Sequence, residues 1–311
     1  MNNINYLRVS ITSACNLFCK YCIKSDSKRN GAILSPDEIL SVVRACIPLG
    51  INRFRVTGGE PLLRKDCLEI IQKISSEPGV ADISLTTNGT LLPCRIKDLK
   101  IAGLKRLNIS LDTLSKEKFR ALTGRDLLND VLSGITLAKS ENFSDIKINT
   151  VLIKNINLDE IHNFTEFSSK FAVPVRFIEL MPSGQEDEYF KENFVSANNI
   201  KNLLLKKYTL SEITQSGSGP ARYYKTNTGA VIGIIASVSE EFCGSCNRLR
   251  LSSSGKMRLC LFSKNKIDLK PALKEKKFTS LTGLIEKALR LKPLNKKNKS
   301  FICGRMSEIG G

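Results

Sequence analysis

The run Tyr6-Leu7-Arg8-Val9-Ser10-Ile11-Thr12-Ser13-Ala14-Cys15-Asn16-Leu17-Phe18-Cys19-Lys20-Tyr21-Cys22 decides how the rest of the chain is read. It opens with a short apolar segment of strand character. Cys15, Cys19 and Cys22 follow, spaced four and then three apart, so their thiolates can converge from one loop onto a single iron–sulfur cluster. A [4Fe–4S] cube takes four ligands, so three cysteines leave one iron open, which implies chemistry rather than electron storage. A zinc knuckle or incidental buried thiols would be the plainer account. A second cysteine group and several further motifs weigh against it. Working residues of parallel α/β folds sit at the carboxyl ends of strands, which is where these cysteines fall.

Working outward, apolar β-branched runs at 6–11, 53–57, 82–87, 106–111, 146–153 and 174–181 alternate with amphipathic stretches near 36–48, 66–75, 94–102, 126–140 and 157–170. That alternation predicts βα units around a parallel sheet. Ser35-Pro36-Asp37-Glu38 is a good helix start, with a capping residue, a first-turn proline and acids facing the macrodipole. Six such units suit an α/β fold of the partial (β/α)6 TIM-like barrel type, since a full barrel needs eight repeats over about 250 residues. After 181 the pattern stops. Gln215-Ser216-Gly217-Ser218-Gly219-Pro220 marks a boundary, giving a barrel over 1–215 and a C-terminal extension over 216–311. The extension holds hairpin-like strands (222–225, 230–235), more cysteines and an amphipathic helix near 279–290.

The 311 residues, 41% of them hydrophobic, suffice for one large domain plus an appendage. No apolar run approaches the roughly 20 residues of a membrane span, and no signal or transit segment is visible. Ten cysteines in such a chain read as ligands and free thiols rather than disulfides, so a reducing, cytoplasmic compartment is expected. Net charge is +18, and residues 243–311 alone carry 17 Lys/Arg against 4 Asp/Glu. An anionic substrate such as a nucleotide triphosphate, or nucleic acid, would answer that excess. The bland explanation, a solvated lysine-rich surface, suits Lys296-Lys297-Asn298-Lys299. Nucleic-acid binding is disfavoured because Trp is absent and aromatics are few in the basic region. No membrane partner is expected.

Further motifs follow successive strands: Arg55-Val56-Thr57-Gly58-Gly59-Glu60-Pro61, then Thr86-Thr87-Asn88-Gly89, then Ser110-Leu111-Asp112. Paired glycines let backbone approach a ligand, and the hydroxyls and amides could hold a ribose or carboxylate. The second cysteine group is Cys243-Gly244-Ser245-Cys246-Asn247-Arg248-Leu249-Arg250, with Cys260 14 residues after Cys246. A closed structural zinc wants a fourth ligand. Cys303 is one candidate; His162, the lone histidine, lies in the barrel half and reads as an ordinary helix residue. Without a fourth ligand, a second open-sided cluster results. Arg248 and Arg250 alternate on a strand beside it, and arginine forks recognise phosphates. Cys46, Cys67 and Cys94 fall in helical stretches and read as core or surface thiols.

The first cysteine motif with Gly58-Gly59-Glu60-Pro61 resembles the radical S-adenosylmethionine (SAM) superfamily. Over nearly all 311 residues the chain resembles the GTP 3′,8-cyclase family of molybdenum-cofactor biosynthesis, through Ile178-Glu179-Leu180-Met181, Arg222-Tyr223-Tyr224, the run Phe242 to Leu251, Cys260-Leu261-Phe262 and Gly310-Gly311. Ile23-Lys24 departs from the Met-Pro pair of many relatives. The resemblance implies two [4Fe–4S] clusters, one on Cys15, Cys19 and Cys22 and one on Cys243, Cys246 and Cys260. It implies SAM contacts from Tyr21, Gly59, Ser110 and Met181. GTP contacts would come from Arg8, Arg55, Thr86, Lys147, Arg248, Leu249 and Arg250, with the second open iron taking the guanine. Reductive cleavage of SAM would give a 5′-deoxyadenosyl radical that takes the C3′ hydrogen of GTP. The C3′ radical then attacks C8, forming (8S)-3′,8-cyclo-7,8-dihydroguanosine 5′-triphosphate. Arg250, Gly310 and Gly311 are the implied catalytic residues, the diglycine reaching back into the site. Implied partners are a reductant protein, a downstream cyclic pyranopterin monophosphate synthase and a second copy in a homodimer.

Overall fold

A computed structural model describes residues 4–22, 33–182, 188–214, 219–240, 243–263 and 265–293. Six strands, β1 (Tyr6–Ser10), β2 (Arg53–Thr57), β3 (Asp82–Thr87), β4 (Arg106–Ser110), β5 (Asp145–Leu152) and β6 (Val175–Glu179), alternate with helices. These helices are α1 (Pro36–Cys46), α2 (Cys67–Ser75), α3 (Leu92–Ile101), α4 (Lys116–Thr123), α5 (Leu128–Ser140) and α6 (Ile161–Phe171). The helix start read at Ser35 is a full capping box: the Glu38 amide donates to Ser35 Oγ, and the Ser35 amide donates to Glu38 Oε2 at 2.7 Å.

The chain continues with α7 (Glu188–Asn193), α8 (Ala197–Leu205), β7 (Leu210–Ile213), β8 (Arg222–Thr226) and β9 (Val231–Ile235). It then adds β10 (Arg248–Leu251), β11 (Lys256–Arg258), β12 (Lys266–Asp268), α9 (Lys270–Lys274) and α10 (Phe278–Arg290). All twelve strands join one sheet in the order β12-β11-β10-β1-β2-β3-β4-β5-β6-β9-β8-β7. β10 pairs parallel with β1 and β9 parallel with β6, so the later strands extend both edges of the six-stranded βα core. Antiparallel pairs complete the two ends. The βα core is the partial TIM-like barrel expected.

Parallel strands covered on both faces are usually apolar throughout; these are two-faced. Leu7 and Val9, Phe54 and Val56, Ile83 and Leu85, Leu107 and Ile109, Ile146 and Ile148, Val175 and Phe177, and Leu249 and Leu251 are all buried in the main hydrophobic core. The alternate positions carry Arg8, Arg55, Ser84, Asn108, Lys147, Arg176 and Arg250. Because side chains alternate along a strand, this second set projects from the opposite face, where many of them line one cavity. Residues from β1, β6 and β10 meet there, so the sheet curls around it.

Candidate active site

The first cysteine loop leaves the carboxyl end of β1 and is clamped from every side. Arg64 Nη1 donates to the Ile11 carbonyl at 2.7 Å. The Gly59 amide donates to the Thr12 carbonyl at 2.8 Å, and the Glu60 amide to the Ala14 carbonyl at 2.7 Å. A Cβ at Gly59 would lie 2.2 Å from the Ala14 oxygen, so the paired glycines admit the cysteine loop itself. Glu60, fully buried, accepts from the Leu62 and Asn88 amides and the Thr87 hydroxyl, and burial raises its carboxyl to about 7 against those bonds. Asn88 Nδ2 donates to Asn16 Oδ1 at 2.8 Å and approaches Cys15 Sγ at 3.8 Å. Tyr21 donates its hydroxyl to Asp112 Oδ2, and the Val151 amide donates to Asp112 Oδ1. Phe18 and Lys20 donate their amides to Thr123 and Leu122 at the end of α4. Asn88, whose amide the sequence offers as a ligand contact, and Asp112 thus both direct their side chains to the cysteine loop.

A cavity of about 430 Å³ on the polar face of the sheet carries ten Lys/Arg side chains and two carboxylates, Asp145 and Glu212, on its wall. Three of the arginines stand side by side across three hydrogen-bonded strands: Arg250 on β10 is in register with Arg8 on β1, and Arg8 with Arg55 on β2. Neighbouring strands are about 4.8 Å apart, so these guanidiniums repel one another. Burial first, then Arg250 and Arg55, hold Arg8 well below its usual range; burial and then Arg248 bring Arg250 down to about 10. Lys147 pairs with Asp145, yet burial still lowers it. Arg176 donates to Asn108 Oδ1. Asn149 Oδ1, on this wall, is buried without a hydrogen-bond partner among the described residues; so is Thr86 Oγ1, which is in register with the wall residue Asn108 but does not itself line the cavity. A wall with ten cations and two carboxylates is short of negative charge, and a polyphosphate supplies it.

Cys243, Cys246 and Cys260 line the same cavity. Burial disfavours the Cys246 thiolate, but Arg248 and Lys292 override it and lower the thiol to about 7. Burial raises Cys15 and raises Cys19 further, with Asp112, Cys22 and Cys15 adding to the latter; bound iron supplies the positive charge that reverses such a penalty. Among the described residues no three of His, Cys, Asp and Glu converge on a single metal ion. A [4Fe–4S] cube takes one thiolate per iron, so that spacing does not count against a cluster. Both cysteine groups fit it by donor chemistry.

Of the expected site residues, Arg8, Arg55, Lys147, Met181, Arg248 and Arg250 face the cavity together with the second cysteines. Leu249 does not: its side chain is wholly buried in the core, so only its backbone is available. Gly59 and Tyr21 adjoin the first cysteine loop, and Ser110 ends β4, in register with Asn149. Gly310, Gly311 and Cys303 lie outside the described residues. Arg176, Asn108, Asn149 and Lys292 also line the cavity and were not singled out from sequence. For Arg176 a signal existed: a lone cation between Val175 and Phe177 on a strand whose neighbours are buried.

Comparison with known proteins agrees with this geometry. Residues 9–168 match the Radical SAM superfamily and residues 173–298 match Molybdenum Cofactor Synthesis C. A curated relative from Desulforamulus reducens, named GTP 3′,8-cyclase, is 41% identical over 99% of this chain and 98% of its own length. One of the same name from Thermodesulfovibrio yellowstonii is 42% identical over the same shares. Among solved structures, Streptococcus suis SuiB, bound to its precursor peptide SuiA, superposes with a TM-score of 0.62 at 12% identity. The match covers 91% of this chain and 65% of SuiB, and at that identity it shows the fold alone.

Proposed function

The chain belongs to the GTP 3′,8-cyclase family of the radical SAM superfamily, and from that premise we propose how its residues divide the work. Cys15, Cys19 and Cys22 hold one [4Fe–4S] cluster and Cys243, Cys246 and Cys260 a second. When bound, SAM and the first cluster supply, by one-electron reductive cleavage, the radical that takes the C3′ hydrogen of GTP. The chain's own contribution is placement. The Gly59 clamp and Asn88 fix the first cysteine loop; the Tyr21–Asp112 bond ties that loop to the carboxyl end of β4, beside Ser110. Tyr21, Gly59, Ser110 and Met181 border SAM. Arg8, Arg55, Arg248, Arg250 and Lys147 take the triphosphate, Thr86 gives its unsatisfied hydroxyl, and Leu249 offers backbone only. The second cysteine group, on the same wall as the arginines, leaves an open iron for the guanine.

The observation that carries this reading is the register row Arg250–Arg8–Arg55 in one cavity with Cys243, Cys246 and Cys260. Competition binding to the anaerobically reconstituted protein tests it. GTP should bind far more tightly than guanosine, through its phosphates, and more tightly than ATP, through its base. Equal affinity for guanosine would remove the arginines from the site, and equal affinity for ATP would remove the base contact.

Gly310 and Gly311 belong to the proposal as a tail entering the site; Lys292 and Pro293, the last described residues, line the cavity and set its departure point there. A protein electron donor, hand-over to a cyclic pyranopterin monophosphate synthase, homodimerisation and cytoplasmic residence complete it. No described helix is long and apolar enough to cross a membrane.

A further inference from the structure

Lys292 lies just beyond the end of α10, whose buried residues Leu281, Ile285 and Ala288 seat a helix that packs on α1. The residue is 6% exposed, and a buried ammonium is costly unless its protons are met. Each of the three has an acceptor: the Arg248 carbonyl at 2.7 Å, the Leu259 carbonyl at 3.1 Å and Cys246 Sγ at 3.5 Å. None is a carboxylate. Arg248 opens β10 two residues after Cys246, and Leu259 immediately precedes Cys260. One side chain therefore bridges the two segments that carry two of the three second-group cysteines, and also touches a sulfur.

Resting on the two-cluster reading above, we infer that Lys292 is the positioning residue of the second cluster, holding the Cys246 and Cys260 segments at one spacing and donating a hydrogen bond to the Cys246 sulfur. Two backbone carbonyls alone would be a poor destination for a buried charge. A metal-bound thiolate as the third acceptor gives the ammonium an anionic partner. Hydrogen bonds to cluster sulfurs set reduction potential and stabilise the more negative, reduced state. Lys292 should thus raise the potential of the second cluster and leave the first, whose cysteines it does not touch, unaffected.

Lys292→Met keeps the length and removes the donors. Wild type and variant, reconstituted anaerobically as full chains, are compared by iron content and by an EPR-monitored redox titration of both clusters. Wild type should hold about eight irons, four per cluster. Lys292→Met should either lose the second cluster alone or keep it at a lower midpoint potential, with the first-cluster signal unchanged. Full iron content with both potentials unchanged would overturn the inference. About four irons in wild type would overturn the two-cluster reading and this inference with it. If Lys292→Met loses both signals through misfolding, Lys292→Arg decides: it keeps the charge and should retain iron. Its planar fork replaces the three-donor head, so the potential should move. An Arg variant indistinguishable from wild type would refute the role.

Discussion

Arg250 sits in register beside Arg8, and no arrangement of water compensates that crowding as a phosphate does. Arg250→Ala should weaken GTP binding by about 1.5–3 kcal/mol, the usual worth of a hydrogen bond to a charged group, while 5′-deoxyadenosine formation in the absence of GTP persists. Unchanged GTP affinity would remove Arg250 from the binding wall. Thr86 separates binding from folding more sharply. Its hydroxyl has no partner among the described residues, so Thr86→Val should leave the melting temperature of the free protein equal or higher and still weaken GTP. A fall in melting temperature without loss of affinity would make it a structural residue. At this scale the sequence singled out the two cysteine groups and Arg248 and Arg250, because cysteine spacing and strand alternation are local patterns. It did not show that Asp112 and Asn88 serve the cysteine loop, since Tyr21 and Asn16 lie over 70 residues away from them. It also passed over Lys292, whose partners lie in two segments 33 to 46 residues before it.

The turn after β2 is the element on which the first site depends. Gly59→Ala would drive a Cβ into the Ala14 carbonyl, and overpacking of that kind costs about 1–3 kcal/mol. Iron at the first cluster should fall while the second is retained, and equal occupancy of both would contradict the clamp. Glu60 in the same turn adds a pH signature. Its folded value is about 7 and its ordinary one near 4.5, so the folded protein binds more protons than the unfolded chain between those values. Unfolding free energy therefore drops as pH rises from about 4.5 to about 7. Urea unfolding of the apoprotein should show the advantage of wild type over Glu60→Gln narrowing across that interval; a widening gap would contradict the assignment. The main strands were legible because each is an apolar run between turn residues. α4 was not: Lys116-Glu117-Lys118 hides it, and Ser115 capping with burial of Phe119 and Leu122 sustains it. β11 and β12 span three residues each, too few to show alternation.

The whole molecule joins two ends of one chain around one cavity. β10 reaches β1 across 240 residues of sequence, a pairing that no local pattern announces, and it brings Arg250 to Arg8 and the second cysteines to the barrel wall. Removing Gly310-Gly311 should lower product formation with both clusters intact, and full turnover would exclude a role for the tail. The central claim, that a radical-generating site at the first cysteine loop serves a GTP site in the cavity of the second cysteine group, has one direct measurement. The protein is reconstituted anaerobically, its iron counted, and it is then incubated with SAM, dithionite and GTP for product analysis. The account predicts about eight irons per chain, with GTP raising 5′-deoxyadenosine formation above its GTP-free level and a cyclised nucleotide forming alongside it. About four irons, or deoxyadenosine formation indifferent to GTP with no cyclised product, would contradict it.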